Sequence, residues 1–372
     1  MHGALATDRP VTTPQGSLLP WFNERLRATM IDHGHRLVEE GSPAERSEDG
    51  GVVLYPFDAA APRGYRRRSR AVFVVAIGEA PTAPEEPLKT GYPLLLYSLA
   101  NLFLLVSHEG RRGSPEVSFF TLEQGSYSIP YEGDDDAFFD AIARRIAPLA
   151  TSHLVIDNVF HPDLPESLWN GDEHTAALSR AGRRLDEMNL LPAPFPLEDF
   201  LSPRDFRHVQ QLFGIGGLSY GNLSQRRDAD TFWMSASGVD KSRLDDIGRD
   251  MLLVTGFDPA ARAMLLSVPP DVRPRRVSVD AIEHYKIYQE HPAVGAILHV
   301  HAWMDGIVST EINYPCGTME LADAVADLVR CEPDPAHAVI GLKNHGLTIT
   351  GESLDEIFAR VESRILRQVP MS

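Results

Sequence analysis

Cysteine is scarce in this sequence, and its scarcity excludes one class of protein. The chain has 372 residues and two cysteines, Cys316 and Cys331. Two cysteines cannot form the disulfide framework that stabilises small secreted domains. Residues 1–9 also lack a basic region followed by an apolar run, so no signal peptide is indicated. We therefore expect a protein that folds without an oxidising compartment.

Long apolar runs and excess positive charge are also lacking. The most apolar window, Tyr92–Val106, is interrupted by Ser98 and Asn101, and it falls short of the roughly 20 residues that a bilayer-spanning helix needs. The chain has 35 Lys and Arg against 52 Asp and Glu, a net charge of −17. A chain this acidic is not attracted to nucleic acid or to an anionic membrane. These absences predict a soluble, cytoplasmic protein that binds neither nucleic acid nor membranes.

The composition that is present, 43% hydrophobic and 23% charged residues, is that of a globular protein, and the length predicts two domains. Residues 1–50 are predicted to be a polar tail or linker with room for one short helix within 18–37. Residues 51–190 are predicted to form an N-terminal α/β domain, and residues 200–372 a second α/β domain. The boundary is placed within 170–200 because the three prolines of segment 191–196 favour an extended linker.

The N-terminal domain shows the alternation of strands and helices that is typical of an α/β layer fold. Strands are predicted at 71–77, 102–107, 117–121 and 153–157, and helices at 92–101 and 137–149. This half has no glycine-rich phosphate-binding loop of a common pattern, so no ligand and no role are assigned to it.

A pair of histidines closes a predicted strand at 296–301. On a strand, His299 and His301 project from the same face and can converge on one divalent metal. Two partly exposed histidines on a sheet are the alternative. His345 lies at a polar break within 338–349, between two further predicted strands. Three histidines that leave a coordination position open are the composition of a catalytic metal site.

Polar residues elsewhere in the second half are candidates for acid–base chemistry and substrate binding. Asp280 opens a predicted helix at 281–289, so its carboxylate is either a helix-end charge or a metal ligand or base. Two loops, 214–226 and 235–238, combine glycines with small polar side chains, which is either a structural turn or a site for an anionic or polyhydroxy group. The candidate substrate-binding residues are Ser219, Gly221, Asn222, Ser237, Gly238 and Ser278.

These motifs, in this order, resemble the class II aldolase/adducin family, which includes fuculose- and rhamnulose-phosphate aldolases and ribulose-phosphate 4-epimerase. The resemblance covers residues from about 200 to the end of the sequence and excludes the N-terminal domain. It is carried by 219–224, by Ser237-Gly238, by 278–280 with His284 and Tyr288, by 299–301, by 317–322 and by 344–346.

The resemblance implies a three-layer α/β/α domain with a central mixed sheet, in a homo-oligomer with the site near a subunit boundary. It implies a divalent metal on His299, His301 and His345, usually zinc, with iron or manganese as alternatives. The substrate would be a small hydroxy-carbonyl, sugar-like molecule. In the family the metal stabilises the enediolate formed when a C–C bond breaks or a proton leaves. Asp280 would act as acid and base or as a fourth ligand.

The sequence departs from the family pattern at three points. Asp280 stands where the aldolases usually have Glu. Val279 replaces a serine that helps to bind phosphate, which argues against a phosphorylated substrate. Family members often bring a catalytic tyrosine from a tail beyond the last helix, which is predicted here at 354–366. No tyrosine follows that helix in this sequence, so the role would pass to Tyr220, to Tyr314 or to the N-terminal domain.

We therefore expect a metal-dependent lyase of the aldolase type. A fold alone does not fix a reaction, so other functions on the same scaffold stay open. They are an epimerase, a decarboxylase, a dehydratase, an iron-dependent oxygenase, and a non-catalytic, adducin-like interaction protein.

Overall fold

A computed structural model describes residues 16–39, 41–42, 44, 51–68, 72–121, 126–152, 155, 157–188, 190, 221–367 and 369–370. The chain divides into two compact units. The first holds the described residues up to 146, and the second holds those from 147 onward. No helix among the described residues is long and apolar enough to cross a membrane.

The first unit contains a five-stranded sheet in the order β1 (Gly51–Pro56), β2 (Val72–Thr82), β3 (Leu102–Glu109), β4 (Glu116–Thr121) and β5 (Ser126–Pro130). The first three strands are parallel, and β4 and β5 continue the sheet as antiparallel strands. The helices are α1 (Leu19–Asp32), α2 (Pro87–Ser98) and α3 (Asp135–Thr151), and the last turn of α3 falls in the second unit. The strands predicted at 71–77, 102–107 and 117–121 correspond to β2, β3 and β4, whereas β1 and β5 were not predicted.

The short helix expected within 18–37 is present as α1, but it is not part of a tail. Phe22, Leu26 and Met30 recur at four-residue spacing and are fully buried, which is the pattern of a helix face that packs on a core. The ring of Phe22 lies 5.3 Å from that of Phe139 in α3. The prediction of a polar tail is therefore wrong for these residues.

The second unit is built on a nine-stranded mixed sheet. The order of its strands is β12 (Val308–Ser309), β13 (Val339–Leu342), β14 (Gly346–Gly351), β11 (Ala296–Val300), β7 (Gly221–Arg226), β8 (Phe232–Ser235), β9 (Met251–Asp258), β10 (Ala263–Ser267) and β6 (Asp157–His161). Neighbouring strands are antiparallel except for two parallel pairs, β12 with β13 and β10 with β6. The described helices are α4 (Glu173–Glu187), α5 (Ala281–Glu290), α6 (Met319–Cys331) and α7 (Leu354–Val361).

Helices cover both faces of this sheet. Consecutive residues of a strand point to opposite faces. The ring of Phe232 lies 4.8 Å from that of Tyr288 in α5, whereas Nε1 of the next residue, Trp233, donates a hydrogen bond of 3.0 Å to Asp172 at the start of α4. Helix α7 packs with α4, and α6 packs with α5. The predicted three-layer α/β/α domain with a mixed central sheet is confirmed.

The division between the units lies earlier than the boundary predicted within 170–200. Strand β6 is hydrogen-bonded to β10, and α4 packs against β7 and β8, so residues 157–187 belong to the second unit. The proline segment 191–196, on which the predicted boundary rested, lies outside the described residues. The position of the prolines could not reveal that β6 pairs with a strand about 100 residues later in the sequence.

Gly221 illustrates how closely the central strands approach each other. Its φ of +142° is unfavourable for other residues, and a Cβ there would collide with the carbonyl oxygen of His299. We expect Gly221→Ala to lower the free energy of unfolding by about 2 kcal/mol or more, measured by denaturant unfolding. The control is Gly256→Ala in β9, where a Cβ would meet its nearest neighbour at 3.4 Å. Equal stability of the two variants would mean that the strands tolerate a side chain at Gly221.

Candidate metal centre

Three histidines from two parts of the sequence come together at one end of the central strands. His299 lies in β11 and His301 follows its end, while His345 lies in the turn between β13 and β14. Because β14 pairs with β11, this turn is brought beside the histidine pair. The three ring centroids are 4.7–5.1 Å apart, and one ligand atom from each ring lies within 4.8 Å of the others. The structure thus brings the three predicted ligands together.

The turn that carries His345 has a specific backbone. Leu342 and Gly346 are paired residues, and the His345 N–H donates to the Leu342 carbonyl oxygen at 3.0 Å. Asn344 has a φ of +57°, a left-handed conformation that asparagine tolerates better than most residues. In the Asn-His-Gly motif, Asn344 therefore suits the turn, His345 is the candidate ligand and Gly346 begins β14.

Burial keeps the imidazoles of His299 and His345 neutral, which is the form that binds metals. It lowers the pKa of His299 to about 4. Burial, followed by the neighbouring His299 and His301, lowers the pKa of His345 well below its usual value.

The orientation of His299 also fits a cation. Its Nδ1–H donates to the Leu347 carbonyl oxygen at 3.0 Å, which leaves Nε2 as the atom with a lone pair. That Nε2 is buried and has no hydrogen-bond partner among the described residues. An unpartnered buried nitrogen beside two further imidazoles is the donor set that a divalent cation such as zinc uses.

Asp280 lies against this triad. It occupies the N-cap position of α5 but makes no capping bond with its side chain. Its Oδ2 instead accepts a hydrogen bond of 2.6 Å from Asn222 Nδ2 and lies 4.0 Å from His299 Nε2. Burial raises the pKa of Asp280 to about 6, and bonds from Asn222 and the Gly317 backbone oppose that rise. Such a carboxyl group can both take up and release a proton near neutral pH.

The predicted substrate-binding residues fall in two adjacent loops and one strand. Asn222 and Gly221 begin β7, where Asn222 is the partner of His299 across the β7–β11 ladder.

The other predicted residues lie in two loops that run side by side. The Ser237 N–H donates to the Arg276 carbonyl at 2.9 Å, and the Ser278 N–H donates to the Ser235 carbonyl at 3.3 Å. Gly238 has a φ of +66°. Ser219 and Tyr220 lie outside the described residues, and Tyr314 is half-buried two residues before Cys316.

A second buried carboxyl group was not predicted. Glu283 follows Asp280 by three residues, so both lie on one side of the first turn of α5. Glu283 is 2% exposed, and its Oε1 accepts a hydrogen bond from Thr348 of β14. Burial, and then the charge of Asp280, raise the pKa of Glu283 to about 8. The three-residue spacing was the signal in the sequence, but an acidic residue in the first turn of a helix is usually exposed.

A buried cluster of hydrogen-bonded side chains lies behind the triad. The sequence indicates two of its members, His284 and Tyr288, as part of a family motif, but it does not indicate their contacts. In the structure Ser224 Oγ lies 2.8 Å from both His284 Nδ1 and the Tyr288 hydroxyl. Arg226, two residues after Ser224, stacks on the Tyr288 ring at 4.6 Å. These contacts fix α5 to β7 and thereby hold Asp280 beside Asn222.

Comparison with known proteins agrees with the predicted resemblance. Residues 206–364 match the family model described as "Class II Aldolase and Adducin N-terminal domain". The resemblance expected for the C-terminal part of the chain is thus confirmed, and the residues before 206 lie outside the match.

Two curated relatives match shorter segments. Methylthioribulose-1-phosphate dehydratase of Sodalis glossinidius is 35% identical over 82 residues, which are 22% of this chain and 35% of the relative. L-fuculose phosphate aldolase of Methanococcus maripaludis is 33% identical over 100 residues, which are 21% of this chain and 52% of the relative. The chain thus spans between about a third and a half of these relatives.

Two solved structures are similar at low sequence identity. L-fuculose-1-phosphate aldolase from Thermus thermophilus is 20% identical, with 51% of this chain and 87% of the other covered and a TM-score of 0.33. A "putative aldolase/epimerase/decarboxylase" from Escherichia coli is 18% identical, with 51% and 83% covered and a TM-score of 0.34.

The raised pKa of Glu283 predicts a pH dependence of stability. A carboxyl group with a pKa of about 8 when folded, against an ordinary value of 4.5 when unfolded, stabilises the fold most at low pH. This contribution is lost as the pH rises from about 4.5 to 8. Glu283→Gln should therefore flatten the fall in unfolding free energy between pH 5 and 8, measured with a chelator present.

The matched control is Glu290→Gln, on the same helix but at the surface, where Glu290 pairs with Arg330 at 2.6 Å. The Glu290→Gln variant removes an exposed carboxylate and leaves the buried carboxyl group of Glu283 in place. If both variants follow the wild-type pH profile of stability, Glu283 is not a buried acid of raised pKa.

Proposed function

We propose that this protein is a metal-dependent lyase of the aldolase type that acts on a small hydroxy-carbonyl, sugar-like substrate through an enediolate. The observation that carries the proposal is the buried triad of imidazoles beside the Asp280 carboxyl group, whose pKa is near neutral. His299, His301 and His345 would hold the cation, and zinc fits three nitrogen donors. The match of residues 206–364 to the aldolase and adducin model supports the same function.

The catalytic roles follow from the positions of the side chains. A bound divalent cation would supply Lewis-acid stabilisation of negative charge on a substrate oxygen. Asp280 would take up and return the proton that moves when the carbon–carbon bond is broken. Its hydrogen bond from Asn222 fixes the carboxylate in one orientation, and its burial raises its pKa toward neutrality. The Asp280 side chain is buried at 5% exposure, which limits the water around its carboxyl group.

The substrate's polar end would bind between the loops that contain Ser237 and Ser278. Gly238 has a left-handed backbone that other residues adopt reluctantly, and Ser278 lies two residues before Asp280. Val279 removes a hydroxyl donor from this loop. We therefore propose an unphosphorylated or weakly anionic substrate, in contrast to the phosphorylated compounds named for the two curated relatives.

Dehydration is the second candidate reaction, and one observation favours it. One of the curated relatives is a dehydratase, at 35% identity over 82 residues. Loss of water from a hydroxy-carbonyl compound begins with removal of a proton from the carbon next to the carbonyl group, whereas aldol cleavage begins with removal of the proton of a hydroxyl group. Asp280 would be the base in either reaction. Product analysis distinguishes them, because an aldolase releases two carbon fragments, whereas a dehydratase releases one carbon compound and water.

The metal site is tested by the double substitution His299→Ala/His301→Ala. The wild-type protein should bind about one divalent cation per chain, measured by metal analysis after dialysis, and the double variant should bind none. His337→Ala is the control, because this half-buried histidine pairs with Asp334 and is not part of the triad. Wild-type protein that binds no zinc, manganese, iron or cobalt would refute the proposed function.

Asp280→Asn tests the acid–base role separately from metal binding. The variant should keep its metal and lose about 10²–10⁴-fold in kcat, assayed on a panel of ketoses with and without phosphate. Asn cannot accept the proton, although it has nearly the same shape as Asp. Unchanged turnover on an accepted substrate would assign the proton transfer to another group.

A further inference from the structure

A cavity of about 330 Å³ adjoins the loops that carry two of the candidate metal ligands. Its walls include Trp303, which follows His301 by two residues, and Asn344, which directly precedes His345. Two residues of chain span at most about 7 Å, so both walls lie next to the triad. The cavity is also lined by Ser309, Thr310, Glu311 and Lys343. Its volume suits a small molecule.

Hydrogen bonds of the backbone hold the walls of this cavity in place. The Thr310 N–H donates to the Gly341 carbonyl at 2.9 Å, and the Lys343 N–H donates to Thr310 Oγ1 at 2.9 Å. The N–H and carbonyl groups of Trp303 both bond to Leu366, each at 2.8 Å. The Trp303 ring lies against Gly341, where a Cβ would collide with it. An aromatic face, a hydroxyl group and an amine are therefore fixed around one space.

Two hydrogen-bond donors that line the cavity have no acceptor among the described residues. Lys343 is half-buried, and its ammonium group makes no ion pair or hydrogen bond with that part of the chain. Thr310 is 4% exposed, and its hydroxyl oxygen accepts from the Lys343 N–H, which leaves the hydroxyl hydrogen to donate. Because a buried donor without an acceptor is unfavourable, the pair indicates a ligand with a negatively charged acceptor.

The remaining side chains narrow this ligand to a polyhydroxy carboxylate. The Trp303 ring offers an apolar face to the C–H groups of a carbon chain. The Ser309 hydroxyl and the exposed Glu311 carboxylate are not bonded to other described residues, and they can bind the hydroxyl groups of a ligand. The charge of Glu311 would repel a phosphate dianion more strongly than a carboxylate.

We propose that this cavity binds the carboxylate end of a sugar acid, with the carboxylate on Lys343 and Thr310 and the carbon chain along Trp303. The inference rests on the proposed function, because it names the substrate of that metal centre as a hydroxy-keto acid. The opposite end of the substrate would lie between the loops of Ser237 and Ser278. Lys343 is then a specificity-determining residue, since its charge distinguishes an acid from a neutral sugar.

A matched pair of ligands tests the charge. D-gluconate and D-sorbitol have the same carbon chain and differ at one end, where gluconate has a carboxylate and sorbitol a hydroxymethyl group. Neither has a ketone to cleave. Each is titrated by calorimetry into the full-length protein as purified. We expect one gluconate per chain, bound at least about tenfold more tightly than sorbitol. Inorganic phosphate at the same concentration as gluconate should not displace it.

Lys343→Met locates the carboxylate. This variant should bind gluconate as weakly as sorbitol, and its affinity for sorbitol should equal that of the wild type. Lys286→Met is the matched control, because Lys286 pairs with Asp323 at 2.6 Å and does not line the cavity. The control variant should keep the preference for gluconate.

Wild-type protein that binds the two ligands equally, or neither at millimolar concentration, would overturn the inference without any variant. A preference for gluconate that Lys343→Met retains would also overturn it, and so would displacement by phosphate. Metal analysis of the same samples separates this inference from the proposed function. One cation per chain without a preference for gluconate refutes the sugar acid and leaves the lyase. A Lys343-dependent preference in protein that binds no cation refutes the lyase and leaves the carboxylate site.

Discussion

The pairing of β11 with a strand on each side is the constraint on which the site depends. In that ladder His299 stands opposite Asn222 of β7 and opposite Thr348 of β14. Asn222 holds Asp280, and Thr348 holds Glu283. The register of β11 with its two neighbours thus fixes the position of the candidate ligand His299. It also fixes the residues that bind Asp280 and Glu283. A slip of one residue would turn every one of these side chains to the other face of the sheet.

Burial then gives the site its electrostatic character. It holds His299 and His345 neutral and raises the pKa values of Asp280 and Glu283. Each shift has the same origin, the cost of placing a charge away from water. The described residues around the triad provide no lysine or arginine to pair with Asp280. A dication would supply the missing positive charge, and would favour the ionised form of the neighbouring carboxyl group.

Much of this centre could be predicted from the sequence because its motifs are local. The His299-Val300-His301 motif sets two rings on one face by strand geometry, and Asn344-His345-Gly346 marks a turn. Asp280 could be proposed because it opens a helix. The convergence of these segments could not be derived from spacing, since strand order is decided by long-range hydrogen bonds. The expectation that the three segments converge rested instead on the family resemblance.

The residues that were missed share a physical reason. Glu283 is recognisable only by what surrounds it, since an acidic residue in the first turn of a helix is commonly a structural charge at the surface. The role of β6 was missed because its partner, β10, is distant in sequence. Helix α1 was placed in a tail because its flanks are polar, although Phe22 and its neighbours are buried.

The near-complete enclosure of His299 and His345 has a consequence for the timing of metal acquisition. These rings, 1% and 2% exposed, come from segments separated by more than forty residues, so no preformed site exists in the unfolded chain. An ion held by these rings would leave slowly even where a substrate can reach it, because its release requires two buried side chains to move. The ion that a purified sample contains would therefore record which metals were abundant while the polypeptide folded, more than its relative affinities for them.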